Sequence, residues 1–383
     1  MKTLRWTWPM IHIGIILLVP WACYSARPRK RLDVVVLDKT VPFNNRVEHR
    51  SLFWLLEHLK VERPAGGICE ADRDYLGAFP GPNPGDPPAR TTELTRERAR
   101  HADLIYLADT YGVYRDDLLS GRAMKAALER SPKIYGGLDL GEAEAAADAV
   151  AAGKTLVVEF NTLGSPTEGP ARESLERTLG VTWSRWIGRF FSRLEDRAEV
   201  PDWMRRDYEN EWRKPWEFAG PGYVLMRDDT HCEVLRLGSE VEWKGLTLER
   251  EEPADALLRD VENHIPYPYW FDIVRPGFDT RVLASFQWHL LEGGRKRMRE
   301  HGLPIRFAAV TRHTAEGHGP AYYFAGDFAD NPMAVAPLPL AGYPTMRKWF
   351  EKAKLSPAET AFYWCFYAPM MSHLLEGMPS CPH

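Results

Sequence analysis

Short runs of β-branched and aliphatic residues, each closing on polar side chains, recur through the first half of the chain. Leu32–Asp38, Ala102–Asp109, Lys133–Tyr135 and Thr155–Phe160 have this form, which predicts strands buried on both faces. Between them the apolar spacing becomes helical. His49–Lys60 places Leu52, Leu55, Leu56 and Leu59 on one stripe, Thr95–Arg100 is a short helix, and the Ala-rich Leu138–Ala152 stops at Gly153. Residues 77–91 hold too many prolines and glycines for regular structure and predict a loop. Strands alternating with helices predict an α/β fold, a mostly parallel sheet with helices on both faces.

The pattern changes near residue 181. Trp183, Trp186, Trp203, Trp212 and Trp216 crowd one segment, interleaved with Arg185, Arg189, Arg193, Arg205, Arg206 and Arg213. These tryptophans either form a small core of their own or stack on sugar rings. Tyr223–Met226 and Glu233–Leu237, joined by Arg227–Thr230, predict a hairpin. Sheet-like runs return at Thr280–Phe286, Ile305–Val310 and Ala321–Ala325, with a helix over Leu290–His301 and an aromatic one over Ala358–Leu375. The expected organisation is an anchor and basic linker (1–31), a first α/β part (32–180), a Trp-rich α+β insertion (181–279) and closing strands and helices (280–376).

Composition sharpens the N-terminal reading. The 383 residues are 44% hydrophobic and 27% charged, with a net charge of −4, an ordinary globular balance. Residues 1–31 contain Lys2, Arg5, Arg27, Arg29, Lys30 and Arg31 and no acid, so the remainder is more acidic than the total suggests. An acidic body argues against nucleic acid as a partner. Residues 6–26 carry no charge, and a helix of that length covers roughly 30 Å, one bilayer core. With Trp6, Trp8, Trp21 and Tyr24 near its ends, it predicts one transmembrane helix, hence a single-pass membrane protein with an extracytoplasmic body. A cleaved leader ending at Ser25 is the competing expectation. The five cysteines form neither a disulfide framework nor a zinc pattern, so no metal and no cofactor are expected.

Two segments together resemble the class I glutamine-amidotransferase-like (flavodoxin-like) superfamily. They are Ile134-Tyr135-Gly136-Gly137 followed by an Ala-rich helix and Thr155–Gly164, and the late glycine turn before Ala321–Asp330. The second is similar to relatives without amidotransferase activity, among them trehalose-utilisation-type proteins and sugar-hydrolase accessory domains. The runs DKTVP, DTYGVY, EFNTLGSPT and YYFAGDFAD also resemble a family of membrane-anchored bacterial proteins. Aligned on Gly164, the resemblance puts Thr162 where the superfamily has its cysteine nucleophile and Phe160 at the first elbow glycine. A threonine hydroxyl without a strong base is a poor nucleophile. The superfamily's His-x-Glu pair has a literal match only at His231-Cys232-Glu233, inside the hairpin. The resemblance therefore implies the fold without glutaminase chemistry.

In open parallel sheets, ligands bind beyond the carboxyl ends of the strands. Those ends supply Asp38, Lys39, Asp109, Thr110, Tyr111, Gly136, Gly137, Glu159, Asn161 and Thr162 as candidate ligand-binding residues, with Asp327 from Gly326-Asp327-Phe328-Ala329-Asp330. Gly136 and Gly137 would offer backbone N–H donors. The competing reading is that strand-end polar residues cap helices and turn the chain. Two functions fit these residues. One is a non-catalytic, membrane-tethered envelope binding or scaffold protein that recognises a glycan or an envelope protein. The other is a carbohydrate-active hydrolase or transferase using Asp109 and Glu159 as acid and base.

Overall fold

The computed structural model describes residues 18–40, 46–83, 86–118, 132–228, 230–330, 340–354 and 360–380. In chain order the strands are β1 Val34–Asp38, β2 Leu76–Phe79, β3 Arg90–Thr91, β4 Leu104–Asp109, β5 Thr155–Glu159, β6 Val181–Phe191 and β7 Gly222–Arg227. They continue with β8 Cys232–Arg236, β9 Val241–Arg250, β10 Ile265–Pro266, β11 Phe271–Pro276, β12 Arg281–Leu290, β13 Arg306–His313 and β14 Ala321–Phe324. The principal helices are α1 Val47–His58, α2 Arg96–His101, α3 Leu140–Ala151, α4 Gly169–Leu179, α5 Asp202–Trp212, α6 Glu292–Glu300, α7 Tyr343–Lys352 and α8 Ala368–Gly377.

One ten-stranded sheet runs β10-β9-β12-β13-β14-β5-β4-β1-β2-β3. Its middle is parallel, from β14 through β5, β4 and β1 to β2. The flanking β9, β10, β12, β13 and β3 pair antiparallel. The sheet is therefore mixed, which corrects the mostly parallel expectation. The physical reason lies in burial. A strand covered on both faces reads as a continuous apolar run in either direction, so Arg281–Leu290 and Arg306–His313 carry no mark of their antiparallel pairing. β9 and β10 join this sheet from within residues 181–279. A second sheet, β8-β7-β6-β11, contains the expected hairpin, with Leu225 opposite Glu233.

Two further runs behave differently from their sequence reading. Leu76–Phe79, whose last three residues fall in the expected loop 77–91, is a strand that pairs with β1 over Leu37↔Leu76 and Asp38↔Gly77. Among the described residues Lys133–Tyr135 pairs only with Val113–Tyr114, outside the large sheet.

The membrane expectation is corrected. Among the described residues no helix is long and apolar enough to cross a membrane, and residues 6–17 of the expected span lie outside the described residues. The next segment is bound to the body. Residues 18–25 are helical, the Tyr24 hydroxyl donates to the Glu57 carbonyl at 2.9 Å, and Lys60 Nζ donates to the Ser25 carbonyl at 2.8 Å. The basic linker then pairs Lys30–Arg31 in parallel with Val61–Glu62, while Arg27 meets Glu376 and Arg29 meets Glu62. Its charges thus have partners on the protein itself.

The tryptophans of residues 183–216 are mostly structural. Trp183 and Trp186 are buried in the main core, and Trp203 and Trp216 pack on a smaller core formed by Phe191, Leu194, Met204, Val224 and Val234. Trp212 is 40% exposed. Its indole N–H donates to the Cys232 carbonyl at 2.9 Å.

α3 shows why a strand-end cation can be structural. Its alanines favour the helix, and Asp139 caps it in a reciprocal box with Glu142. Glu142 also accepts from Lys39 Nζ at 2.6 Å, with both side chains buried, and the ammonium lies 5.0 Å from the centre of the Tyr135 ring. Removing one partner of such a pair strands the other charge, a loss of about 3–5 kcal/mol. Lys39→Met is therefore expected to lower unfolding stability by about that much in urea denaturation. A loss no larger than that of an exposed ion pair would contradict this role for Lys39.

Candidate functional site

The parallel strands do bring acidic ends together. Asp38 and Asp109 are register partners on adjacent strands, and the register slips between Leu37 and Asp38, which re-aims the last residues of the pair. Asp38 is almost fully buried. It accepts from the Thr40 backbone at 3.1 Å and lies 2.6 Å from His49 Nδ1. His49 Nε2 contacts the Ala71 carbonyl at 2.9 Å. A carbonyl only accepts, so Nε2 carries a hydrogen and Nδ1 shares a proton with the Asp38 carboxyl. Asp109 Oδ1 accepts from the Tyr111 backbone at 2.6 Å and from Asn161 Nδ2 at 3.3 Å. Burial, with Asp38 as a like-charged neighbour, pushes Asp109 up to about 7.

Three carboxylates complete this edge. Glu48 stands in the first turn of α1, where the helix N-terminus favours an anion. Asp327 and Asp330 follow β14. Ligand atoms of Glu48, Asp327 and Asp330 lie within 4.8 Å of one another. Burial first, then repulsion from Asp330, Asp327, Asp109 and Asp38 in that order, holds Glu48 well above the usual carboxylate range. Burial, then repulsion from Asp330, Glu159 and Asp109, raises Asp327 as well, and burial with Asp38 nearby lifts Asp330 to about 6. Arg189 on β6 counteracts the rise of both aspartates. Its guanidinium sits 5.5 Å from the Trp270 ring, and the Trp270 carbonyl accepts from the Asp327 backbone at 3.1 Å. A partly exposed indole and an arginine thus border the acids, with Tyr111, 38% exposed, beside Asp109.

Other sequence candidates have different roles. Glu159 is wholly buried; it accepts from the Tyr106 hydroxyl and from the backbones of Phe328 at 3.3 Å and Ala329 at 3.1 Å. Burial pushes it up to about 8, yet it is sealed from any ligand. It positions the loop that carries Asp327 and Asp330. Lys39 turns away from the acids to Glu142. Thr110, also buried, contacts Thr167 Oγ1 at 3.2 Å and donates to the Asn161 carbonyl at 3.3 Å.

Gly136 and Gly137 are packing residues. A Cβ on Gly136 would fall 2.1 Å from the Gly112 Cα, and the Gly137 N–H already donates to the Thr110 carbonyl at 2.9 Å. Their value is close backbone approach.

The turn after β5 does not put Thr162, the position the resemblance singles out, in the left-handed conformation. Asn161, with φ 67°, takes the left-handed position, while Thr162 is buried and its hydroxyl has no hydrogen-bond partner among the described residues. No base among them reaches it. Beneath the elbow, Asp272 accepts from the Asn161 backbone, from Trp183 Nε1 at 3.0 Å and from the Tyr323 hydroxyl. Sequence reasoning missed Asp272 and Glu48, and named Arg189 only as one of the arginines interleaved with the tryptophans. Only Asp272 left a signal, a lone carboxylate inside the apolar Phe271–Val274.

No family model and no curated protein matches the chain. Solved structures similar to it include a cytoplasmic protein from Salmonella typhimurium LT2, at 13% identity and a TM-score of 0.39, covering 91% of this chain and 99% of that one. A thuA-like protein from Bacteroides uniformis has 8% identity and a TM-score of 0.32, with 82% and 88% covered. A cold-adapted β-galactosidase from Rahnella sp. R3 has 12% identity and a TM-score of 0.35; 91% of this chain is covered, but only 32% of the enzyme. At these scores the likeness is one of general layout.

Proposed function

We propose that the protein binds a hydroxyl-rich ligand such as a glycan at the strand-end acids, with a divalent cation held by Glu48, Asp327 and Asp330. The observation that carries this reading is the 4.8 Å grouping of those three carboxylates, bordered by Arg189 and Trp270. Like charges so close cannot all ionise unless protons or a cation neutralise them. An all-oxygen set suits a hard cation such as Ca²⁺ or Mg²⁺. Carboxylates accept hydrogen bonds from sugar hydroxyls, and the indole offers an apolar face to a ring.

A second reading is hydrolysis with Asp109 as proton donor. Its support is the rise of Asp109 to about 7, which keeps the carboxyl partly protonated near neutrality. Glu159 cannot serve as its partner in an acid–base pair, because it is enclosed. A glycan library separates the readings. Retention without turnover, reduced at least tenfold by Asp330→Asn, is expected. Hydrolysis abolished by Asp109→Asn would favour the second reading, and absence of both binding and turnover would end both.

Acid–base linkage supplies two further tests. Asp330, Asp109 and Glu159 rise to about 6, 7 and 8. Between their unfolded and folded values the folded chain holds more protons than the unfolded one, so stability falls as pH rises from about 4 to 8. Thermal unfolding is expected to show a lower Tm at pH 8 than at pH 6, with a smaller difference in Glu159→Gln. A Tm that rises over that interval in the native chain and is unchanged by the variant would contradict this.

At pH 8, millimolar Ca²⁺ or Mg²⁺ is expected to raise Tm. Cation at one hundred times its Kd stabilises by about 2.7 kcal/mol. The gain should vanish in Glu48→Gln combined with Asp330→Asn. Insensitivity of the native chain to both ions would remove the cation from the proposal.

A further inference from the structure

We infer that His231, Glu233 and His301 form a transition-metal site of the zinc class, separate from the strand-end acids, whose open position faces an anion-binding cavity. His231 and Glu233 flank Cys232 at the start of β8, and His301 follows α6. Their ligand atoms lie within 4.8 Å of one another. His301 Nε2 is 2.9 Å and His231 Nε2 3.8 Å from the same Glu233 oxygen. Tetrahedral zinc with bonds of about 2.1 Å separates its ligands by ~3.4 Å, between those two values. Two histidines and a glutamate are a zinc donor set that leaves a fourth position open.

The surroundings prepare these groups for a metal. Glu211 on α5 holds His231 Nδ1, and its other oxygen accepts from the Cys232 backbone at 2.7 Å. A carboxylate on one imidazole nitrogen fixes the tautomer and turns the lone pair of the other outward, the usual support for a metal-binding histidine. His231 Nε2, so aimed, is buried and has no hydrogen-bond partner among the described residues. A buried polar atom left unpaired is costly. Arg297 contacts the second Glu233 oxygen at 3.0 Å, which leaves the first one facing the two imidazoles. Trp186 packs on both imidazoles, with ring centres 5.3 Å and 5.4 Å away.

A cavity of about 460 Å³ adjoins the group, with His301 in its wall. Arg185, Arg227 and Arg275 line it, together with Trp186, and among the described residues no carboxylate does. The Arg227 guanidinium lies 5.4 Å from the centre of the Trp186 ring, and Arg185 is paired with Asp228 at 2.6 Å. A phosphate or carboxylate entering this cavity would meet guanidinium forks suited to it and reach the open metal position. The chemistry is that of a small oxyanion.

The test uses the full chain, stripped with chelator and titrated with Zn²⁺ against a chromophoric chelator, and with Co²⁺ followed by its visible spectrum. One equivalent is expected. Glu211→Gln is expected to weaken binding about 10- to 100-fold, and His301→Ala further, while Asp330→Asn leaves it unchanged. Because His301→Ala could disturb folding, circular dichroism accompanies it, and the conservative Glu211→Gln provides an independent arm. Inorganic phosphate is expected to shift the Co²⁺ spectrum of the native chain and not that of Arg275→Ala. No tight equivalent, or equal affinity in folded His301→Ala and Glu211→Gln, would overturn the metal site. A phosphate-insensitive spectrum would overturn the anion cavity.

Discussion

The buried carboxyl of Glu159 ties together the elements on which the strand-end site depends. It sits at the end of β5, accepts from Tyr106 of β4, and holds the backbone of Phe328 and Ala329. Tyr106 also contacts the Tyr367 hydroxyl at 2.9 Å. The Ala329 carbonyl accepts from Ser51 of α1, and the Ser51 carbonyl accepts from Tyr363 at 3.0 Å. Two central strands, the loop after β14, α1 and the C-terminal helical segment thus share one polar network. A buried network of this kind gives specificity when all its members are satisfied. Here its consequence is positional, because it brings Asp327 and Asp330 to the first turn of α1, where Glu48 stands.

How much of this was legible depends on which contacts are local. Asp38 and Asp109 could be read because a strand's end is visible in its own sequence and parallel neighbours share a carboxyl edge. Glu48 could not, since it looks like an ordinary surface charge on its own helix, and Arg189 was visible only as one of the arginines among the tryptophans. The direction of β12 and β13 was hidden by uniform burial. Leu76–Phe79 was obscured by the prolines after it. Gly136 and Gly137 were recognised as special, but for donors rather than for the close approach of Gly136 to Gly112. Lys39 shows the same difficulty, for the Glu142 that fixes it lies 103 residues away.

The two clusters differ in chemistry as well as place. At the strand ends oxygen ligands crowd beside Arg189, which suits protons or a hard cation. At His231, Glu233 and His301 the donors include imidazole, and the neighbouring cavity is lined with arginines, which suits a softer metal and an anion. His231-Cys232-Glu233 looks like an accident in a one-dimensional reading. In three dimensions its histidine and glutamate meet a third residue 68 positions from Glu233.

Burial and crowding are expected to keep the strand-end carboxyls partly protonated near neutral pH. Infrared difference spectroscopy of the folded chain across pH 5 to 9 tests it most directly, through the stretch of protonated carboxyl groups. The expected result is a protonated-carboxyl band that persists at pH 6, weakens by pH 9 and loses intensity in Glu159→Gln. A native chain whose carboxyls are all ionised by pH 5, with a spectrum unaltered by that substitution, would contradict it.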